Sequence, residues 1–247
     1  MQGYTLTLRE IRDVADGTCL FVFDKPEGYV FKAGQYVAFA APRIDGADVD
    51  VRGLTRSFSI ASAPYEPSLY FAMRHGESSF KKTCWQLKPG DTVTITRAVG
   101  FFVLPPADDH RPIVFLAGGI GITPVRSILK QAEYEKSDRN FTLFYMNRFA
   151  KDAAFAEEMN HLSLAHFRCI SVLSQSEDPC VSENDERGYL CGTMFGKYLD
   201  NITGCLYYIV GSPQFIDAMG RVLTNLGVSK EQCRIDSFTG LRSQTAE

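Results

Sequence analysis

The sequence predicts two domains: a six-stranded antiparallel β-barrel, then an α/β domain built on a five-stranded parallel sheet. Three observations predict it. Apolar residues alternate at period two between residues 4 and 103. After the tract Pro105-Pro106-Ala107-Asp108-Asp109 the first strand is continuously apolar, as in a parallel sheet buried on both faces. From there strand and helix patterns take turns, which implies helices covering a parallel sheet. The boundary falls near residues 104–111, giving domains of residues 1–107 and 108–247.

The barrel strands are read at residues 5–9, 20–23, 35–39, 56–60, 69–73 and 92–96. Turn residues separate them: Asp16-Gly17, Glu27-Gly28, Pro42, Asp45-Gly46, Pro64 and Pro89-Gly90. Closing such strands into a barrel removes exposed edges. One helix fits this half, over residues 79–87. In the second half, strands are expected at residues 113–116, 141–146, 167–173, 206–210 and 234–238. Helices are expected around residues 125–132, 153–162, 193–199 and 215–226, the last closed by Gly227.

Composition excludes several functions. Apolar residues make up 45% and charged residues 22% of the 247, with a net charge of −3, so no broad basic field serves nucleic acid. The longest mostly apolar run, residues 112–125, is glycine-interrupted and too short to span a membrane, and the N-terminus lacks the apolar core of a secretory signal. The cysteines Cys19, Cys84, Cys169, Cys180, Cys191, Cys205 and Cys233 form no C-x-x-C pair and no plant-type [2Fe–2S] spacing. They read as reduced thiols in a cytoplasmic protein. The histidines His75, His110, His161 and His166 show no metal-ligand spacing, so no metal is expected.

The segment Gly118-Gly119-Ile120-Gly121-Ile122-Thr123-Pro124 links the first parallel strand to its helix. Glycines allow a tight turn and close approach to a ligand. Thr123 is expected as the N-cap and Pro124 as the first helical residue, leaving N–H groups and a positive dipole end for a phosphate. Pro124 stands where a G-x-G-x-x-G motif has its third glycine, and such a turn also serves as a plain connection. Its place at the carboxyl end of the first strand favours binding. Asn147-Arg148 ends the second strand, where a cation favours a ribose 2′-phosphate; a solvated loop arginine is the equal alternative. Gly211-Ser212-Pro213 joins the fourth strand to a second helix start. In the barrel half, Arg56-Ser57-Phe58-Ser59 puts Arg56 and Phe58 on one face of a strand. Arg56 suits a phosphate and Phe58 a flat ring.

These motifs together with Gly76-Glu77-Ser78-Ser79 and Leu87-Lys88-Pro89-Gly90-Asp91, in this order along nearly the whole chain, resemble the ferredoxin–NADP reductase family. The resemblance implies FAD on the barrel and NADP or NAD on the parallel-sheet domain. It implies that Arg56 holds a flavin phosphate, that Phe58 packs on the isoalloxazine, and that Ser57 and Ser59 line the same site, with Ser59 near flavin N5. Gly76, Ser78 and Ser79 would cradle the diphosphate, and Met73 and Arg74 would lie along the adenosine. Thr123 would sit near both flavin and nicotinamide. Gly118, Gly119, Gly121, Pro124, Arg148, Gly211, Ser212 and Pro213 would hold the nicotinamide nucleotide.

The sequence departs from the family pattern at Phe58, where a tyrosine is usual, and at Val210, where many members carry a cysteine. Asp236-Ser237-Phe238 stands in place of Glu-x-Phe. Ser59 and Asp236 are the expected catalytic residues, with Phe238 near the flavin. The resemblance implies an FAD-dependent NAD(P)H oxidoreductase whose electron acceptor is a separate partner: ferredoxin, flavodoxin or a small molecule. The alternative is a flavin-binding electron-transfer or regulatory subunit without its own NAD(P)H turnover.

Overall fold

A computed structural model describes residues 3–44, 49–175 and 185–238. The expected turn at Asp45-Gly46 and the cysteine Cys180 lie outside the described residues.

The strands of the first half form where the alternation places them, except that β1 continues six residues past its expected end: β1 (Gly3–Ala15), β2 (Thr18–Asp24), β3 (Tyr36–Ala40), β4 (Thr55–Ser59), β5 (Ser68–Arg74) and β6 (Thr92–Thr96). They make one antiparallel sheet in the order β4-β3-β6-β1-β2-β5. Register shifts at Leu8/Glu10 and Asp13/Ala15 bend β1, whose first half pairs with β6 and whose second half pairs with β2. The end strands are bridged: Ala61 N–H donates to the Tyr70 carbonyl (2.8 Å) and Tyr70 N–H to Ser62 Oγ (3.1 Å). The inward positions, among them Leu6, Phe21, Phe23, Phe39, Phe71 and Val93, form the core. Each such side chain contributes about 1.5–3 kcal/mol of burial. Helix α1 (Ser79–Cys84) is shorter than expected, because Gln86 and Leu87 close tighter turns onto Thr83 and Cys84.

The second half contains β7 (Ile113–Gly118), α2 (Ile122–Tyr134), β8 (Phe141–Asn147), α3 (Ala156–Asn160), β9 (Phe167–Leu173), β10 (Glu186–Arg187), α4 (Gly192–Tyr198), β11 (Leu206–Gly211), α5 (Pro213–Asn225) and β12 (Cys233–Ser237). All pairings are parallel, in the order β10-β9-β8-β7-β11-β12. The sheet therefore has six strands rather than five. The addition is β10, a two-residue ladder on Val172 and Leu173 with no apolar run to betray it. Helix α3 is half the expected length, because Ala150–Asp152 forms a 3-10 turn and Phe155 takes a left-handed φ of 59°.

The chain divides into two compact units. The first takes residues up to Leu104 together with Thr123–Glu135; the second takes Pro105–Ile122 and the residues from Lys136 onward. Most of α2 thus belongs to the first unit, where Ser127 Oγ donates to the Ser62 carbonyl (2.6 Å). Among the described residues, no helix is long and apolar enough to cross a membrane.

Candidate functional site

In the first unit, β4 carries Arg56 and Phe58 on one face, as the alternation requires, and both meet Phe80. The Arg56 guanidinium lies 5.3 Å from the Phe80 ring centre, and Phe58 stacks on the same ring at 5.5 Å. Ser57 is exposed and Ser59 buried.

Arg56 is more committed than its motif suggests. Its Nη1 donates to the carbonyls of Arg52 (2.7 Å), Gly53 (2.9 Å) and Thr55 (2.8 Å), and its Nη2 to Asp50 Oδ1 (3.4 Å). Asp50 also accepts from the N–H of Arg52 (2.9 Å) and of Ser79 (3.1 Å), and its own N–H donates to Ser79 Oγ (3.0 Å). The Ser79 side chain above all, with these N–H groups and the Arg56 charge, holds the Asp50 carboxyl below its ordinary range. A carboxylate thus joins Arg56 to Ser79, two of the residues expected to share an anion. Burial first, then the neighbouring Arg52 charge, lowers the Arg56 pKa.

The 74–79 loop leaves β5 and enters α1. Ser78 is the N-cap, its hydroxyl accepting from Lys81 N–H (3.4 Å). The Met73 side chain is buried in the barrel core, so of the expected pair only Arg74 presents a side chain outside it. Lys81 folds back over Gly76: a Cβ on Gly76 would stand 2.8 Å from Lys81 Cδ and 3.0 Å from Nζ. Neither Asp50 nor Lys81 belongs to a motif, and sequence reading missed both. The charged tract Arg74-His75-Gly76-Glu77…Lys81-Lys82 was the available signal.

In the second unit, β8 lies on one side of β7 and β11 on the other, so the strand order reverses at β7. The carboxyl ends of β7 and β11 are where open α/β sheets bind ligands. Gly118 ends β7 and Gly211 ends β11. The 3-10 turn Gly119–Gly121 follows and packs against β7, β8 and β11. A Cβ on Gly121 would stand 2.6 Å from the Val210 carbonyl oxygen, and one on Gly118 would stand 3.1 Å from the Phe215 ring. Gly121 is therefore required for close backbone packing of turn on strand, while a side chain on Gly118 would press on the Phe215 ring of α5. Ser212 caps α5, accepting from Phe215 N–H (3.2 Å), with Pro213 at the first helical position.

The expected N-cap at Thr123 is not found. Helix α2 is already formed at Ile122, led in by the 3-10 turn, so Thr123 lies inside the first turn and is buried. Pro124 follows within that turn, where a missing N–H costs no helical bond.

Asp236 pairs across from Val210, and Phe238 N–H donates to the Gly211 carbonyl (2.9 Å). Asp236 and Phe238 thus come to the same sheet edge as Gly211. Arg148 is exposed past β8, its guanidinium 6.0 Å from the Phe149 ring centre. Beside it, Asn147 is 7% exposed, and both its Oδ1 and Nδ2 are buried without a hydrogen-bond partner among the described residues. A buried amide left in this state costs about 1–3 kcal/mol per group, which a polar ligand would relieve. Among the thiols, burial pushes Cys84 and Cys169 up to about 12, far from reactivity.

The family model described as the oxidoreductase NAD-binding domain matches residues 115–221. The chain is 32% identical over 162 residues to the F subunit of the Na(+)-translocating NADH-quinone reductase of Methylococcus capsulatus, covering 63% of this chain and 39% of that protein. Its counterpart in Pseudomonas aeruginosa is 32% identical over 164 residues, with the same coverages. The chain thus spans about two fifths of the length of these relatives. Among solved structures, the Amycolatopsis cytochrome P450 reductase GcoB superposes with a TM-score of 0.80 at 25% identity, over 96% of this chain and 70% of that one. A ferredoxin NADP+ reductase from Neisseria gonorrhoeae, solved with bound FAD and NADP, gives 0.82 at 19% identity over 96% and 99%, which establishes a shared fold.

Proposed function

We propose that this chain, which matches the oxidoreductase NAD-binding domain family and shares the fold of a ferredoxin NADP+ reductase, is an FAD-dependent NAD(P)H oxidoreductase that passes electrons to a separate acceptor. The observation that carries the reading is the sheet edge of the second unit. Tightly packed glycines at the β7–β11 reversal, a capped helix start at Ser212 and the orphaned Asn147 amide gather at the carboxyl ends of parallel strands. That combination suits a dinucleotide. The barrel unit fits a flavin diphosphate less simply, since Asp50 shares Arg56 and Ser79 with any incoming phosphate.

FAD, when bound, supplies the hydride acceptor and the route by which electrons leave; the hard chemistry is the cofactor's. The chain's own residues bind and orient. Arg56 contributes a charged donor, Phe58 an aromatic face, and Ser59 a buried hydroxyl on the opposite face of the strand. Asp236 and Phe238, at the end of β12, are the proposed positioning groups for the nicotinamide ring, and Thr123, inside α2 of the first unit, is a proposed cofactor contact of its own unit. Gly118, Gly119, Gly121 and Gly211 form the backbone edge proposed to meet its diphosphate. Binding energy from these remote contacts is what positions the reacting atoms.

Ferredoxin, flavodoxin or a small oxidant serves as acceptor in this reading, and the site of action is the cytoplasm. A second reading, an electron-transfer component of a larger complex, is favoured by the matched relatives' being named as subunits of an NADH–quinone reductase.

The cofactor assignment is tested by adding FAD or FMN to flavin-free protein and recording absorbance after gel filtration. Retained FAD is expected, and a protein that retains neither flavin would remove the proposal. Arg56→Ala is expected to weaken FAD binding by about 1.5–3 kcal/mol, the worth of a hydrogen bond to a charged group. Unchanged affinity by fluorescence titration would count against its role. Arg148→Ala is expected to raise KM for NADPH more than for NADH, and steady-state kinetics with both would show it. An equal rise for the two would sink the 2′-phosphate assignment.

A further inference from the structure

We propose that Lys81 is a further ligand of the FAD diphosphate, an inference that rests on the flavin reading above. The residues that the motif assigns to this anion are already engaged. Ser79 N–H and Arg56 Nη2 both bond to Asp50, and Arg56 Nη1 is spent on backbone carbonyls. Lys81 is the uncommitted cation at the loop. Among the described residues its Nζ has one hydrogen-bond contact, the His75 carbonyl at 3.5 Å, and no carboxylate pairs with it. The loop's acid, Glu77, is taken by Lys82 at 3.1 Å.

The position is unfavourable for a cation standing alone. Lys81 is half-buried, and the first turn of α1 in which it lies holds no acidic residue. Burial, and then the charge of Arg74, lowers the Lys81 pKa. A solvated lysine would extend into water, yet this one lies folded on Gly76, where a Cβ would stand 2.8 Å from its Cδ. The bare glycine is what admits it. An ammonium held against burial and a like charge is a group awaiting an anion. The Gly76–Ser79 loop is where the diphosphate is proposed to sit.

The test uses the flavin-free full chain titrated with FAD, read by quenching of flavin fluorescence, with thermal unfolding of each flavin-free variant in parallel. Lys81→Met is expected to raise the FAD Kd about tenfold or more, the loss of a charged contact. Its flavin-free Tm should equal or exceed that of the wild type, because a strained charge has been removed. Lys81→Arg should bring Kd back to within about threefold of the wild type, since a cation is restored. An unchanged Kd in Lys81→Met, with normal uptake by the wild type, would overturn this inference and leave the flavin reading intact. A raised Kd accompanied by a clear fall in flavin-free Tm would also overturn it, since Lys81 would then be structural. A wild type that takes up no FAD would overturn the flavin reading and this inference with it.

Discussion

Truncating Arg126 to alanine is expected to destabilise the first unit by about 3–5 kcal/mol, because a buried ion pair broken on one side leaves the other charge without compensation. Arg126 is 4% exposed and Glu66 8% exposed. Their contact is two-pronged: Nη1 donates to Oε2 at 2.9 Å and Nη2 to Oε1 at 3.0 Å. Nη1 also donates to the Ala61 carbonyl (2.7 Å), and the guanidinium lies 5.2 Å from the Tyr70 ring centre. Glu66 in turn accepts from Ala63 N–H (2.5 Å). The pair ties α2 to the turn between β4 and β5 and so fixes Thr123 at the start of that helix. Replacing both partners by apolar residues of similar size, Arg126→Met with Glu66→Leu, removes both charges at once and should recover most of the loss. Urea unfolding of the single and double variants measures this. A double variant as unstable as Arg126→Ala would show that packing, not the uncompensated charge, sets the cost.

Gly121→Ala is the second large effect. Its Cβ would meet the Val210 carbonyl oxygen at 2.6 Å, the carbonyl carbon at 3.0 Å and Gly211 Cα at 3.3 Å. All are backbone atoms of β11, so no side chain can swing away. The turn and the strand end must separate, at about 1–3 kcal/mol of overpacking. Displacing the edge proposed to bind the dinucleotide by a fraction of an ångström or more is expected to slow flavin reduction by NAD(P)H by about 10²-fold. FAD affinity, which the proposal assigns to the first unit, should stay unchanged. Gly220→Ala is the matched control, since a Cβ there meets nothing within 4 Å. It lies inside α5 and should stabilise by about 0.4–1 kcal/mol. Equal rates for Gly121→Ala and the wild type would dissociate the glycine turn from nicotinamide binding.

Most of the architecture is legible in the sequence because it is written in periodicity. The barrel strands lie within a residue or two of their expected places, save that β1 runs six residues past its expected end, since half-buried strands alternate and turns are marked by glycine and proline. What escaped was short or non-local. β10 has two residues and no apolar run. The start of α2 is set by a 3-10 turn that brings Gly121 onto Val210, a contact between residues 89 apart that no N-cap rule anticipates. Phe155 breaks α3 by a left-handed backbone, which a bulky aromatic rarely adopts. Motif order is what singles out Arg56, Ser79, Gly118 and Gly211 as candidates. Asp50 reaches Ser79 from 29 positions away, and Arg126 reaches Glu66 from 60. Such pairs are joined by the fold, and spacing along the chain carries no trace of them. Asn147 was passed over in favour of its charged neighbour Arg148, although its burial is the stronger signal.

The account stands on hydride transfer between a nicotinamide and a flavin held by this one chain. The direct measurement is the flavin absorbance of FAD-loaded protein, kept free of oxygen, after a stoichiometric addition of NADPH and, separately, of NADH. Loss of the oxidised flavin band with at least one of the two is the predicted result. A band that survives both additions yet disappears with dithionite would contradict the account, leaving a flavoprotein that takes its electrons from elsewhere.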